Sequence, residues 1–475
     1  MRHYDKFYIG GRWVEPAEPR QIDLINPATE EVYATLAMGS ASDVDRAVAA
    51  ARSAFPAFAS SSKADRIALF RRIINAFKER EADLSEAISR ELGAPRSVNV
   101  HTKSPLQILE QTIDLIEEYP FEVVTKGTLI RRESIGVAGL ITPWNWPVQS
   151  ICGKLCSALA AGTPVVLKPS EYSSVSAHLL AEILDAADVP AGVFNLVFGD
   201  GPTVGHAIST HPDIDMVSFT GSTRAGVQVA IDAAPTVKRV VQELGGKSAN
   251  IILPDADLEE AARWNVTRGM FNSGQSCHSP SRVLVQRKQL QAVLDYMLDE
   301  VGKIRVGDPQ LPDTTLGPVI NRNQFERIQH LISLGIKEGA RLLCGGTSRP
   351  EGQSQGYFVK PTIFADVTPA MTIAQQEIFG PVLSVMTYDT EEEAIEIANG
   401  TPYGLGAYLF SSSPETARRV GNALRAGRVF LNGDNGDMRA PMGGYKQSGN
   451  GRQNGTFGLE EYLEVKAMFG YSRKN

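Results

Sequence analysis

At 475 residues the chain is long enough for about three domains with large cores, and its composition, 43% hydrophobic and 21% charged, is ordinary. A formal charge of −7 excludes nucleic acid as the main partner, which asks for a basic surface; Arg71-Arg72 and Arg131-Arg132 read as solvated faces. The opening MRHYDKFYIGGRW has no apolar core of a signal peptide. No segment reaches the ~20 uninterrupted apolar residues of a membrane span, since Ile151–Leu167 carries Lys154 and Pro164. A cytoplasmic protein without membrane partners is expected.

Helical and strand signals alternate along the chain, the pattern of an α/β protein. A Ser/Asp start and helical apolar spacing predict a helix over Ser42–Phe58, and Lys63–Leu92 reads as one or two long amphipathic helices. Between Thr125 and Ile141, GTLIRRESIGVAGLI suggests a pair of strands. Helix Val148–Ala161, strand Pro164–Leu167, helix Val175–Asp188 and strand Phe194–Val197 follow. Next come helix Val204–Thr210, strand Met216–Phe219 and helix Arg224–Ala233. This succession marks a doubly wound parallel sheet. New material repeats the rhythm in strand Asn250–Leu253, helix Leu258–Met270, strand Val283–Val285 and helix Leu290–Ile304. No internal repeat, low-complexity tract or flexible linker interrupts it.

Cys152, Cys156, Cys277 and Cys344 are too few and too irregular for a disulfide framework or a four-thiol zinc site, and no metal is expected. Cys152 and Cys156, one helical turn apart among small residues, read as core. Cys277 differs: it sits in FNSGQSCHSP (Phe271–Pro280), where Gly274 and small polar residues let backbone approach a ligand. A thiol is mostly protonated at neutral pH, so a nucleophile here needs a lowered pKa, which nearby backbone N–H groups would supply. Taken alone, a buried inert thiol is the commoner case.

Asn145, in the Trp/Pro-stiffened TPWNWP (Thr142–Pro147), offers an amide donor for an oxyanion; such corners are more often structural. Glu243, at the end of the strand-like RVVQELGG, is a candidate general base, although lone acids at strand ends are usually solvated. KPSE (Lys168–Glu171) follows the buried run PVVL, the carboxyl end of a strand where nucleotides bind. Lys168 and Glu171 suit ribose hydroxyls. FTGSTRAG (Phe219–Gly226) offers a second strand–turn–helix for a pyrophosphate. Neither is GxGxxG, and GDGPTVG (Gly199–Gly205) misses that spacing by one.

The ordered set TPWNWP, KPSE, FTGSTRAG, ELGGKS, GQSC, EIFGPV (Glu377–Val382), PMGGYKQSG (Pro441–Gly449) and YLEVK (Tyr462–Lys466) resembles the aldehyde dehydrogenase superfamily, of the NAD(P)-dependent, non-CoA-acylating type, over nearly the whole chain. The resemblance implies Cys277 as nucleophile, Asn145 as oxyanion donor and Glu243 as general base. Lys154 and Glu464 match positions near a proton-exit path. A dinucleotide would be held by Ile141, Thr142, Trp144, Lys168, Ser170, Glu171, Phe219, Gly221, Ser222, Leu244, Glu377 and Phe379. The expected reaction oxidises an aldehyde to an acid through a thioester on Cys277. NAD is expected over NADP, which stays open, because the Glu171 carboxylate repels a 2′-phosphate.

Two doubly wound Rossmann-like α/β domains and a small β oligomerisation arm are implied: residues 1–118 with 134–245 for the dinucleotide, 246–445 for catalysis, and 119–133 with 460–475 for the arm. A homodimer or homotetramer is expected. The pattern departs from the family at His278, at Met442 and in the polar loop Asn432–Met438, positions that border the aldehyde tunnel. Direct base chemistry by His278 is disfavoured because adjacent side chains usually point apart. Three other readings stay open: a CoA-acylating enzyme, a non-catalytic binding protein on the same fold, and a thioesterase-like cysteine hydrolase.

Overall fold

Continuous apolar runs such as VVLK, FNL and MVSFT need cover on both faces, which a parallel sheet flanked by helices provides. In the computed structural model, which describes residues 2–472, they form the centre of an eight-stranded sheet. Its order is Gly449–Asn450, Arg239–Glu243, Met216–Thr220, Ala138–Ile141, Val165–Lys168, Phe194–Leu196, Phe7–Ile9 and Arg12–Val14. The middle five strands run parallel. Chain order reverses between Ala138–Ile141 and Met216–Thr220, opening a crevice at their carboxyl ends.

A second sheet of seven strands centres on Ala249–Ile252 and Arg282–Gln286, with Val382–Tyr388, Thr362–Ala365 and Arg341–Cys344 on one side and Gly406–Phe410 and Arg428–Leu431 on the other. Only Arg341–Cys344 pairs antiparallel. A separate three-stranded sheet joins Glu122–Thr125 and Thr128–Ser134 to Leu463–Met468; residues 473–475 of the expected arm, like Met1 of the opening segment, lie outside the described residues.

Most predicted elements stand within two residues of their expected ends, with instructive exceptions. The two strands expected between Thr125 and Ile141 do not pair with each other: Thr128–Ser134 joins the small sheet and Ala138–Ile141 the large one. Lys63–Leu92 breaks at Arg80 into two helices, the first held by a Ser62/Asp65 capping box. The expected helix over Val204–Thr210 starts as a π-type turn, Gly201–Gly205, and becomes α-helical at His206. The helix from Leu290 ends at Val301 rather than Ile304. Cys152 and Cys156 are buried in helix Pro147–Ala161 and unpaired. No described helix is long and apolar enough to cross a membrane.

Candidate active site

Strand register draws four sequence candidates into one row. Across the first sheet Glu243 is opposite Thr220, Phe219 opposite Ile141, and Ile141 opposite Lys168. All sit at the carboxyl ends, on the rim of the crevice.

On the dinucleotide side, Lys168 is buried, its Nζ donating to Pro169 O at 2.9 Å and standing 3.9 Å from Glu171 Oε2. Burial pulls its pKa below the ordinary lysine value, while Glu171 and Asp200 push it back up. Ser170 caps the turn that presents Glu171, accepting from Tyr172 N–H. Thr142 follows the central strand with its Oγ1 buried and without a protein partner. Trp144 stands edge-on to Phe379, ring centroids 5.3 Å apart. Phe379 takes a left-handed φ of +61°, and its carbonyl accepts from Gln324 Nε2 at 2.8 Å.

Gly221 follows buried Phe219 and begins the turn into helix Thr223–Ala233, which Ser222 caps by accepting from Ala225 N–H at 3.3 Å. A Cβ on Gly226 would meet Leu244 Cδ2 at 2.5 Å, so helix and strand touch backbone to side chain. Glu377 is half-buried and accepts from Gly246 N–H at 3.0 Å; loss of surrounding water raises its pKa. A helix start, a lysine–glutamate pair, an unpartnered buried hydroxyl and a second carboxylate around one crevice fit an extended dinucleotide with its hydroxyls and pyrophosphate.

The nucleophile side is built by a distorted loop. After helix Leu258–Met270, Asn272, Ser273 and Gly274 adopt φ of +55°, +56° and +71° in succession. Such conformations cost about 1–2 kcal/mol for a residue with a side chain, less for asparagine. The strain stands beside dense packing: a Cβ on Gly274 would lie 2.0 Å from Gly380 O, and one on Gly246 would lie 2.4 Å from Cys277 O. Asn272 Nδ2 donates to Asn145 O at 2.9 Å, and Asn145 Nδ2 to Gln275 O at 3.0 Å. Trp146 Nε1 donates to Ser276 Oγ at 3.1 Å. The two loops thereby hold Cys277 and Asn145 on one cavity of about 420 Å³. One amide N–H of Asn145 is committed to Gln275, which leaves the other for a ligand.

The expected thiol activation by backbone N–H groups is outweighed. Burial, with Glu377 and Glu243 adding to it, pushes the Cys277 pKa up to about 12, although the N–H groups of Cys277 and His278 act downward. His278 does face its neighbour, contrary to the expectation that adjacent side chains point apart, with Nδ1 4.0 Å from Cys277 Sγ. Its Nε2 lies 3.1 Å from Arg268 Nη2. A guanidinium only donates, so Nε2 accepts and Nδ1 carries the proton. Burial beside Arg268 and Arg428 holds the imidazole neutral, with a pKa of about 3. In that tautomer Nδ1 is a donor toward sulfur, not a base.

Glu243 is buried and neither carboxylate oxygen has a protein hydrogen-bond partner. Burial lifts its pKa to about 8 against the downward pull of Lys154, Arg452 and Arg428. Lys154, fully buried, is lowered to about 7 by burial and donates to Ser218 Oγ at 3.1 Å. Glu464 is a correction: it is exposed on the arm strand and pairs with Arg239 at 2.9 Å, away from Glu243. The cavity also takes in Arg268, Arg428, Phe271 and Gln453, none singled out in the sequence. Neither arginine carried a local signal: helix Leu258–Met270 also holds Glu259, Glu260 and Arg263, and no element was expected at Arg428.

Residues 13–468 match the aldehyde dehydrogenase family. The chain belongs to that family. It is 50% identical, over 99% of both chains, to 3-succinoylsemialdehyde-pyridine dehydrogenase of a Pseudomonas species. Among solved structures it superposes at TM-score 0.98 and 50% identity, covering 99% of this chain and 98% of the other, on aldehyde dehydrogenase C of Pseudomonas syringae, a cysteine-to-alanine variant complexed with NAD+ and octanal. Betaine aldehyde dehydrogenase of Staphylococcus aureus, in complex with NAD+, aligns at TM-score 0.95 and 34% identity over 99% of this chain and 98% of that one. The aldehyde dehydrogenase fold was the expected one.

Proposed function

We propose that this aldehyde dehydrogenase oxidises an aldehyde, with NAD and water, to the carboxylic acid, NADH and a proton, through an acyl group carried on Cys277. One observation supports this most: Cys277 and Asn145 share a cavity that opens beside the carboxyl ends of the parallel strands, where Glu243, Ile141 and Lys168 stand in register. NAD, when bound, supplies a positively charged ring and a carbon that accepts the hydride.

Cys277 Sγ, once deprotonated, bonds to the carbonyl carbon, and the resulting oxyanion is held by the free amide N–H of Asn145 and the Cys277 N–H. Loss of hydride turns the adduct into a thioester on the same sulfur. Glu243, with both oxygens free of protein partners, takes a proton from water as that water attacks the thioester carbon; the sulfur leaves and the acid is released. A carboxylate so disposed favours water over coenzyme A as acyl acceptor. Lys154, facing the same buried carboxylate, is a proton partner for it.

Lys168 and Glu171 fit the adenosine ribose, Ser170, Thr142, Ile141, Phe219 and Leu244 its surroundings, Gly221 and Ser222 the pyrophosphate, and Glu377, Phe379 and Trp144 the nicotinamide end. The working domain division is residues 1–118 with 134–245, 246–445, and 119–133 with 460–475, supported by the eight-stranded sheet, the seven-stranded sheet and the small sheet of Leu463–Met468, although strand Gly449–Asn450 falls between these ranges and adds to the eight-stranded sheet. Exposed Val123, Val124, Val465 and Phe469 on and beside the small sheet support a homodimer or homotetramer. The reading is tested by NADH and acid formation over a panel of aldehydes with NAD and NADP, for the native chain and Cys277→Ala. Acyl-CoA as the product, or equal rates for both proteins, contradicts it.

A further inference from the structure

Arg268 and Arg428 both line the cavity that holds Cys277. Among the described residues neither is paired with a carboxylate: Arg268 donates to the neutral His278 ring, and Arg428 lies over the Phe430 ring, 4.8 Å from its centroid. Arg428 opens its strand opposite Gly406, and a Cβ on Gly406 would sit 3.6 Å from His278 Cβ. Three elements, the helix before the nucleophile loop, the loop itself and the strand Arg428–Leu431, thus converge on one wall. Two half-buried guanidiniums without counterion are costly unless something negative joins them.

We propose that this wall recognises a carboxylate on the far end of the substrate, so that the aldehyde oxidised is a short ω-carboxy aldehyde. The inference rests on the reaction proposed above and adds the substrate class to it. Its reach follows from the contacts. Nδ1 of His278 is 4.0 Å from Sγ and Nε2 is 3.1 Å from the guanidinium, so that nitrogen stands within about 9 Å of sulfur. Subtracting a carbon–sulfur bond and a charge-assisted hydrogen bond leaves about 4–5 Å, the span of about four carbons, or five where the carboxylate meets the outer nitrogens of the guanidinium. Planar guanidiniums suit a carboxylate because each offers parallel N–H donors. Burial pulls the Arg428 pKa below its ordinary value and Arg268 adds to the pull, an excess of positive charge that an arriving anion relieves. His278 serves as a positioning residue here, holding Arg268 through Nε2 on the side toward Cys277.

The test pairs succinic and glutaric semialdehydes with butanal and pentanal, measuring kcat/KM with NAD for the native protein, Arg428→Leu, Arg268→Leu and Arg428→Lys. The native protein should prefer the semialdehydes at least tenfold. Either leucine variant should cut that preference about a hundredfold, chiefly through KM, and lysine should restore part of it. Calorimetric binding of glutarate against pentanoate to the native protein needs no variant and should favour glutarate at least tenfold. Native preference for the alkanals, a preference unchanged in both leucine variants, or equal binding of the two acids overturns the inference while leaving the reaction intact. NADH from none of the four aldehydes contradicts the reaction itself.

Discussion

The two sides of the active site are held in place by different means. On the dinucleotide side, Glu243, Thr220, Ile141 and Lys168 end adjacent parallel strands and are aligned by backbone register. On the nucleophile side, Cys277 rides a loop with three successive left-handed residues, near the amino end of strand Arg282–Gln286. A sheet positions its edge residues at no cost in strain. The loop is held by contacts instead, from Asn145, Asn272 and the Gly380 carbonyl. Side-chain change on the first side should therefore leave the local backbone in place, whatever it does to the chemistry, whereas the second side should fail abruptly as a structure.

Substitutions sharpen the contrast. Cys277→Ala should lower NADH formation by at least about 10⁴-fold while NAD binding, followed by calorimetry, stays within a few fold. Asn145→Ala should cost about 10²–10³-fold in kcat, measured in the steady state, through loss of an oxyanion donor.

Glu243→Gln should slow turnover about 10²–10⁴-fold yet leave a burst of one NADH per site in rapid mixing. Glu243 acts only when deprotonated, and burial lifts its pKa to about 8. Native deacylation should therefore rise with pH to a plateau above about 8, a limb the glutamine variant lacks. A flat native profile would break the assignment.

Gly274→Ala forces a Cβ to 2.0 Å from Gly380 O at φ +71° and should destabilise the fold by about 2–4 kcal/mol, read by denaturant melts. The smallest effect falls on the sheet side: Glu171→Gln should raise NADP use relative to NAD by about tenfold, as repulsion of a 2′-phosphate is removed.

The same contrast explains what could be read in the sequence. Buried runs such as PVVL and the turn FTGSTRAG declare a strand end and a helix start, so the backbone of the rim proposed for the dinucleotide was legible from chain order and motifs. The proposed nucleophile and base stand out only through the family's motif set; neither Cys277 nor Glu243 alone outweighs an inert thiol or a solvated acid. Glu464 shows the limit of motif transfer, since its strand belongs to the small sheet.

Other features left local signals that went unread. The hairpin Phe7–Ile9 to Arg12–Val14 turns on Gly10-Gly11, both at positive φ, a glycine pair between alternating apolar residues. Helix Val100–Glu118 buries Ile108, Leu109, Thr112, Leu115 and Ile116 at helical spacing. The convergence of Arg268, His278 and Arg428 has no local signature: 160 positions separate the outer two in the sequence, and only the folded second sheet brings them together.

The most direct measurement mixes Glu243→Gln with NAD and an aldehyde, quenches in acid and weighs the peptides. An acyl group, heavier than the free thiol by the substrate's acyl mass, should appear on the peptide bearing Cys277 in step with the NADH burst. NADH released without that adduct, or an adduct on another residue, would contradict oxidation through the Cys277 sulfur.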